Sequence, residues 1–272
     1  MAGIPVAVLG AARSGLAACR LLQAIGATVT LIDDYLEEDS IRAALDLPSV
    51  EVITGSYTPA DIVAPILVLS PGISDTHSLV SHYLDQGRAV ISEVELASRY
   101  TQAPLIAVTG SNGKSTVASL IHRMLAAGGR RSFLGGNIGV PLAANVLEEL
   151  TLQPARPVHV VEISSFQAEH LDRFQAVAVV FLNLTPDHLD RYPDMESYGR
   201  AKLNLLDHLA PSGWIIYNHD DPIFRSALAG RERSIPFAAA HPPGAKFESR
   251  DGWITHDKTR LAPVANLTLP GP

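Results

Sequence analysis

Short runs of β-branched and aliphatic residues alternate with segments whose apolar positions recur at helical spacing, along nearly all of the 272-residue chain. That alternation predicts a parallel sheet with crossover helices. Strands are predicted at 6–9, 28–32, 50–53, 66–69 and 89–91, with helices at 14–25, 79–86 and 93–100. A polar, proline-marked connection at 101–104 follows, and the boundary between two units is placed there. The pattern then restarts, with strands at 105–108, 158–163, 177–182, 214–217 and 234–237 and helices at 114–127 and 197–209. After Phe237 the texture changes: 247–250 and 253–256 flank Asp251-Gly252, a dipeptide suited to a tight hairpin. The expected fold is α/β, with two doubly wound units over 1–100 and 101–272 and a small antiparallel appendage at the end.

Composition narrows the function. Hydrophobic residues make up 47% of the chain and charged ones 18%, which predicts a compact globular protein. A net charge of −7 offers no diffuse basic face, so a nucleic-acid partner is not expected. The single cysteine, Cys19, cannot form an internal disulfide and falls in an apolar helical pattern, as buried filler in a reducing compartment would. Residues 1–10 lack a basic, apolar leader, and the most apolar run, 62–69, is short and broken by Pro65. A cytoplasmic protein without membrane insertion is the expectation.

The strongest chemical signal is Gly110-Ser111-Asn112-Gly113-Lys114-Ser115-Thr116, between a predicted strand and helix. Glycines let backbone N–H groups turn onto phosphate oxygens, and the helix N-terminus adds partial positive charge. Lys114 is placed to bridge the terminal phosphates of ATP, and Ser115 or Thr116 to hold Mg²⁺. The strict phosphate-loop pattern fails at one position, where Val108 replaces the first glycine.

A second loop, Gly10-Ala11-Ala12-Arg13-Ser14-Gly15, also joins a strand to a helix, and Asp33 ends the next strand. Two readings stand: a nucleotide site with Asp33 on a ribose, as in Rossmann folds, or a tight turn with Asp33 as a helix cap. Ser70-Pro71-Gly72 ends another strand on the same rim and could add anion-binding N–H groups. In the second unit Glu162 ends a buried strand, well placed for Mg²⁺ beside a phosphate loop. His188 follows the next strand, as a metal ligand or a structural histidine, and Lys202 lies on the helix after it.

Together these segments resemble the Mur ligase family, which builds the peptide stem of bacterial cell-wall precursors. Gly-Ser-Asn-Gly-Lys-Ser-Thr, Gly135-Gly136-Asn137-Ile138-Gly139, Glu162-Ile163-Ser164-Ser165-Phe166-Gln167 and Thr185-Pro186-Asp187-His188-Leu189-Asp190-Arg191 occur in family order. The third of these and Ser70-Pro71-Gly72-Ile73 resemble the branch that adds D-glutamate to UDP-N-acetylmuramoyl-L-alanine. The resemblance implies a monomer with those two substrates, ATP and Mg²⁺. It further implies that Lys114 contacts ATP, that Ser115, Glu162 and His188 ligate Mg²⁺, and that Lys202 is carried as a carbamate. Gly10, Ser14, Gly15, Asp33, Ser70, Gly72 and Asn137 would hold the UDP substrate. A third domain that grips the amino acid is expected after Pro272, so residues 1–272 alone are expected to bind rather than ligate.

Two other classes remain at this point. A nicotinamide-dependent oxidoreductase explains the first glycine loop and Asp33 but leaves Gly110–Thr116 idle. A module that binds nucleotide sugar or ATP and catalyses nothing explains both loops.

Overall fold

The computed structural model describes residues 2–152, 157–187, 191–239 and 245–266. In the first unit the elements are β1 (Pro5–Leu9), α1 (Arg13–Ala24), β2 (Thr28–Asp33), α2 (Glu38–Leu45), β3 (Glu51–Thr54) and β4 (Ile66–Leu69). They continue with α3 (Ser78–Asp85), β5 (Ala89–Ser92) and α4 (Glu93–Ser98). The second begins with β6 (Leu105–Thr109), α5 (Lys114–Ala127), β7 (Ser132–Gly136), α6 (Leu142–Thr151), β8 (Val158–Glu162) and α7 (Ser165–Glu169). It runs on through β9 (Ala176–Phe181), α8 (Met195–Leu203), β10 (Leu209–Asn218), α9 (Pro222–Leu228), β11 (Ser234–Ala238), β12 (Phe247–Arg250), β13 (Trp253–His256) and β14 (Thr259–Pro263).

The first sheet is five-stranded and parallel, in the order β3-β2-β1-β4-β5. Its order reverses at β1, so the crevice between β1 and β4 opens at their C-terminal ends, where such sheets take ligands. The glycine loop follows β1 and the Ser70–Gly72 turn follows β4. The second sheet has nine strands, β14-β13-β12-β11-β10-β9-β6-β8-β7. Here β6 lies between β8 and β9, so the ends of those two strands flank the phosphate loop. The expected antiparallel hairpin is present, but it is continuous with the large sheet: β12 pairs parallel with β11 before β13 and β14 turn back.

Strands β1, β4, β6 and β8 are almost wholly buried, as runs covered by helices on both faces must be. One apolar cluster crosses between the units: Ala17, Leu21, Val94 and Ala97 pack with Leu142, Ala143 and Val146. Helix α6 therefore closes the first unit's core as well as its own. Its start has no capping side chain of its own, because Pro141 stands at the N-cap. Glu93, fully buried on α4, supplies the cap, and its Oε1 accepts from Ala143 N at 2.6 Å. Glu93 is pushed up to about 7 by burial, against that one hydrogen bond.

The glycine loop depends on a close approach. A Cβ at Gly15 would meet the Gly10 carbonyl oxygen at 1.8 Å and Ser70 Oγ at 2.9 Å. Gly10 itself has φ +94°. Gly15→Ala must push α1 away from the loop and is expected to cost about 1–3 kcal/mol or more. Urea unfolding checks this, and a wild-type midpoint would show that loop and helix part freely.

Candidate active site

The phosphate loop leaves β6 at Gly110, whose φ of +150° and surroundings both demand glycine. A Cβ there would meet Leu182 Cβ at 2.9 Å and the Asn183 backbone at 3.2 Å. Val108, which breaks the strict motif, is still a β6 residue, paired with Glu162 on one side and Val180 on the other. The turn simply begins two residues later than the strict pattern places it. Gly113, at φ +79°, is the N-cap of α5.

The loop is braced by the segment after β9, through Asn183 and Thr185, which the sequence placed in a motif but gave no role. Ser111 N donates to Asn183 O at 2.8 Å, Asn112 N to Asn183 Oδ1 at 2.8 Å, and Asn183 Nδ2 to Asn112 O at 3.0 Å. Ser111 Oγ donates to Thr185 O, and Thr185 N to Ser111 Oγ, both at 3.0 Å. The available signal was positional: Asn183 and Thr185 directly follow a buried strand whose end faces the loop.

The expected site residues converge from four elements. Ser115 Oγ, in the first turn of α5, donates to Glu162 Oε2 at 2.7 Å, and Asn137 Nδ2 donates to Glu162 Oε1 at 3.0 Å. Lys114 Nζ lies 2.9 Å from Gly110 O and 2.8 Å from Ser111 O, folded onto its own loop. Lys202, 1% exposed on α8, donates to the same Gly110 O at 3.0 Å. Its ammonium is brought down to about 7, first by burial and then by the Lys114 charge, with Asp187 and Glu162 opposing. Thr116 is exposed in the first turn of α5. His188 lies outside the described residues.

At the first unit's rim, Asp33 is occupied by backbone. Its Oδ2 accepts from Ala11 N at 2.7 Å, and its Oδ1 from Tyr35 N at 3.0 Å and Leu36 N at 2.9 Å. Burial pushes this carboxyl up, but the three N–H groups outweigh it and hold it below the ordinary 3.8. A depressed folded value contributes stability above the unfolded value, lost as pH falls through the folded one. Asp33→Asn should therefore melt below wild type at pH 7, with the gap closing below about pH 3–4. A gap independent of pH, in thermal melts across that range, would show that the charge is immaterial. Ser70 Oγ donates to Gly10 O at 2.8 Å, so these two loops are tied.

A cleft of about 180 Å³ lies between the units, lined by Ala12, Arg13, Ser14, Ser70, Asn137 and Gly139 among others. It brings Ser14 and Ser70 of the first unit against Asn137 of the second. Gly72, at φ +94°, has open space where a Cβ would be. A larger cleft of about 770 Å³ lies at the opposite edge of the strands, lined by residues including Arg99, Tyr100 and Pro104, away from both loops.

Phosphate-loop motif, strand-end carboxylate and buried lysine thus meet on a doubly wound sheet, in an α/β protein. Residues 108–248 match the Mur ligase middle domain, and the chain belongs to the Mur ligase family. It is 39% identical to the UDP-N-acetylmuramoylalanine–D-glutamate ligase of Salinibacter ruber, across 97% of this chain and 60% of that protein. The protein of the same name from Trichlorobacter lovleyi is 34% identical, with the same coverage of 97% and 60%. The chain thus spans about 60% of the length of these curated relatives. Among solved structures, the UDP-N-acetylmuramate:L-alanyl-gamma-D-glutamyl-meso-diaminopimelate ligase of Neisseria meningitides shares the fold, with TM-score 0.61 and 17% identity over 95% of this chain and 86% of that one. The UDP-N-acetylmuramate-alanine ligase of Thermotoga maritima does so too, with TM-score 0.54 and 16% identity over 95% of this chain and 59% of that one.

Proposed function

We propose that this protein is an ATP-dependent ligase that joins D-glutamate to UDP-N-acetylmuramoyl-L-alanine in the cytoplasm. The observation that carries the reading is the convergence of Lys114, Ser115, Glu162, Asn137 and Lys202 around the phosphate loop. The names of the 39% and 34% identical relatives support the choice of substrates. In the reading, ATP phosphates lie on the amides of Gly110–Thr116 at the start of α5, and Lys114 swings from its loop carbonyls to the terminal phosphates. The substrate carboxylate attacks the γ-phosphate to give an acyl phosphate, and the amine of D-glutamate then displaces phosphate to leave an amide.

Both partners of the first step are anionic, so positioning and positive charge must supply most of the rate. Ser115 and Glu162 offer adjacent hard oxygen donors, a set that suits Mg²⁺ with water and phosphate completing its shell. Lys202 joins that set only as a carbamate, and His188 is a further proposed ligand. Bound there, Mg²⁺ would neutralise charge on the phosphates. Ser14, Ser70 and Asn137 would orient the UDP substrate across the cleft between the units, which they line. Gly10, Gly15, Asp33 and Gly72 lie outside that lining and would serve the substrate through the two loops, where Asp33 holds Ala11 N and Ser70 Oγ holds Gly10 O.

Phosphate release tests this on the protein at its full encoded length. Release that needs UDP-N-acetylmuramoyl-L-alanine, D-glutamate and ATP together is the expected result. Saturable binding of the UDP substrate and ATP with no D-glutamate-dependent release would leave a binding module instead.

A further inference from the structure

Beyond Gly72 the first unit's rim continues through Ile73–Thr76, which reaches across to the second unit. Asp75 Oδ1 lies 2.8 Å from His170 Nε2, at the end of α7, and Asp75 Oδ2 lies 3.4 Å from Arg191 Nη2. Arg191 Nη1 also donates to Ile73 O at 3.4 Å, and its Nη2 to Glu169 Oε2 at 3.2 Å. The guanidinium stacks 4.2 Å over Phe166, and Tyr192 OH donates to the same Glu169 oxygen at 3.1 Å. Arg191 and His170 are 17% and 11% exposed but Asp75 is 42% exposed, so the pairing is partly open to water and rests on its geometry rather than on strong Coulomb attraction. The His170 hydrogen bond holds the Asp75 carboxyl below its usual range against burial, with the charges of His170 and Arg191 adding to it.

The units are also joined elsewhere: Arg13 Nη1 of the glycine loop donates to Gly139 O at 3.1 Å, directly across the cleft. Glu93 and Glu95 join them through the linker helix α4, by capping backbone groups that neither ligand loop contains. Asp75, by contrast, sits three residues beyond Gly72, and Arg191 is three residues beyond His188. We infer that Asp75 and Arg191 form a positioning clamp that couples occupancy of the Ser70–Gly72 loop to the placement of the phosphate loop and of 182–187 beside it. Among the described residues the link runs from Arg191 over Phe166 to Tyr192 and Tyr198, whose hydroxyl meets Ser111 Oγ at 3.3 Å, and Ser111 is paired with Thr185. The planar guanidinium, fixed by Phe166 and shared by Asp75 and Glu169, transmits a displacement of the first loop as a lost or gained charge-assisted bond. The names of the two ligands, though not the clamp, rest on the function proposed above.

The test uses the full-length protein with Asp75→Asn, Arg191→Lys and Arg191→Met. In the absence of ligand, amide exchange over 182–187 should quicken roughly ten-fold in Asp75→Asn, although the substitution lies in the other unit. UDP-N-acetylmuramoyl-L-alanine should tighten binding of a non-hydrolysable ATP analogue in wild type by about five-fold or more. That coupling should vanish in Asp75→Asn and Arg191→Met and survive partly in Arg191→Lys, while each ligand's affinity alone changes about two-fold or less. A merely structural ion pair would lower both affinities or the melting temperature and leave the coupling intact, which overturns the clamp. Unchanged exchange in Asp75→Asn overturns it as well. If wild type binds neither ligand, the proposed function fails and the exchange result alone decides the clamp.

Discussion

Lys202→Ala is expected to lower ligation by roughly 10²–10³-fold, the scale for losing one fixed group that stabilises charge at a reacting centre. The side chain is 1% exposed and shares Gly110 O with Lys114. A buried ammonium facing a second lysine is the least comfortable form of this residue. With its value brought to about 7, about half of the amine is neutral at pH 7, against about 0.03% for an unperturbed lysine. The neutral amine is the form that adds CO₂. A carbamate there would turn a cation repelled by Lys114 into an anion attracted to it, and would add oxygen donors near Glu162, whose charge already acts on Lys202. Short carboxylates such as acetate should therefore restore part of the activity of Lys202→Ala. Removing CO₂ should slow wild type, and more so below pH 7, where the amine is protonated. A fully active alanine variant, or wild-type turnover indifferent to CO₂, would remove Lys202 from this role.

Glu95→Ala is expected to cost about 3–5 kcal/mol, the scale for breaking a buried charged network by removing one partner. Glu95 is fully buried on α4. Its carboxylate accepts from the backbone N–H groups of Asp172, Arg173 and Phe174 at 2.8–3.0 Å, and from Arg99 Nε. Alanine leaves those donors facing a void at the junction of the two units. Gln retains one acceptor oxygen but turns an NH₂ toward N–H groups, so it should lose somewhat less. Urea unfolding measures the change, and a loss below about 1 kcal/mol would mean that water replaces the carboxylate.

Which elements were legible follows from where their signals lie. The buried strands and α1, α3 and α5 carry their own periodicity, and the sequence reading finds them within a few residues; the helix expected over 197–209 ends at Leu203 in α8, and β10 starts at Leu209, five residues before the expected strand. Helix α6 went unread although Leu142, Ala143 and Val146 recur at helical spacing; what it lacks is a local start signal, since Glu93, fifty residues away, caps it. Strand β7, Ser132–Gly136, ends in two glycines and shows no alternation. A Cβ at Gly136 would meet Glu162 O at 2.3 Å, a packing demand invisible locally. Strand β14 is a mostly exposed edge, where burial imposes no pattern. Helices α7 and α9, of five and seven residues, are too short to establish a period, and α2, though as long as α3, buries only Ile41 and Leu45.

The sequence by itself determined the α/β class and the two glycine loops between strand and helix. It also placed the cationic and carboxylate side chains at strand ends, because backbone turns and helix N-termini are made by near neighbours in the chain. Only the tertiary structure decided which of these meet. Glu162 reaches Ser115 across 47 residues and Lys202 reaches Gly110 across 92, because β8 and β9 flank β6 in the sheet. Asp33 shows the same division. Its position at the end of β2 was plain, and its bonds to Tyr35 N and Leu36 N, two and three residues on, are the local cap that one sequence reading allowed; only the bond from Ala11 N, across 22 residues, needed the fold.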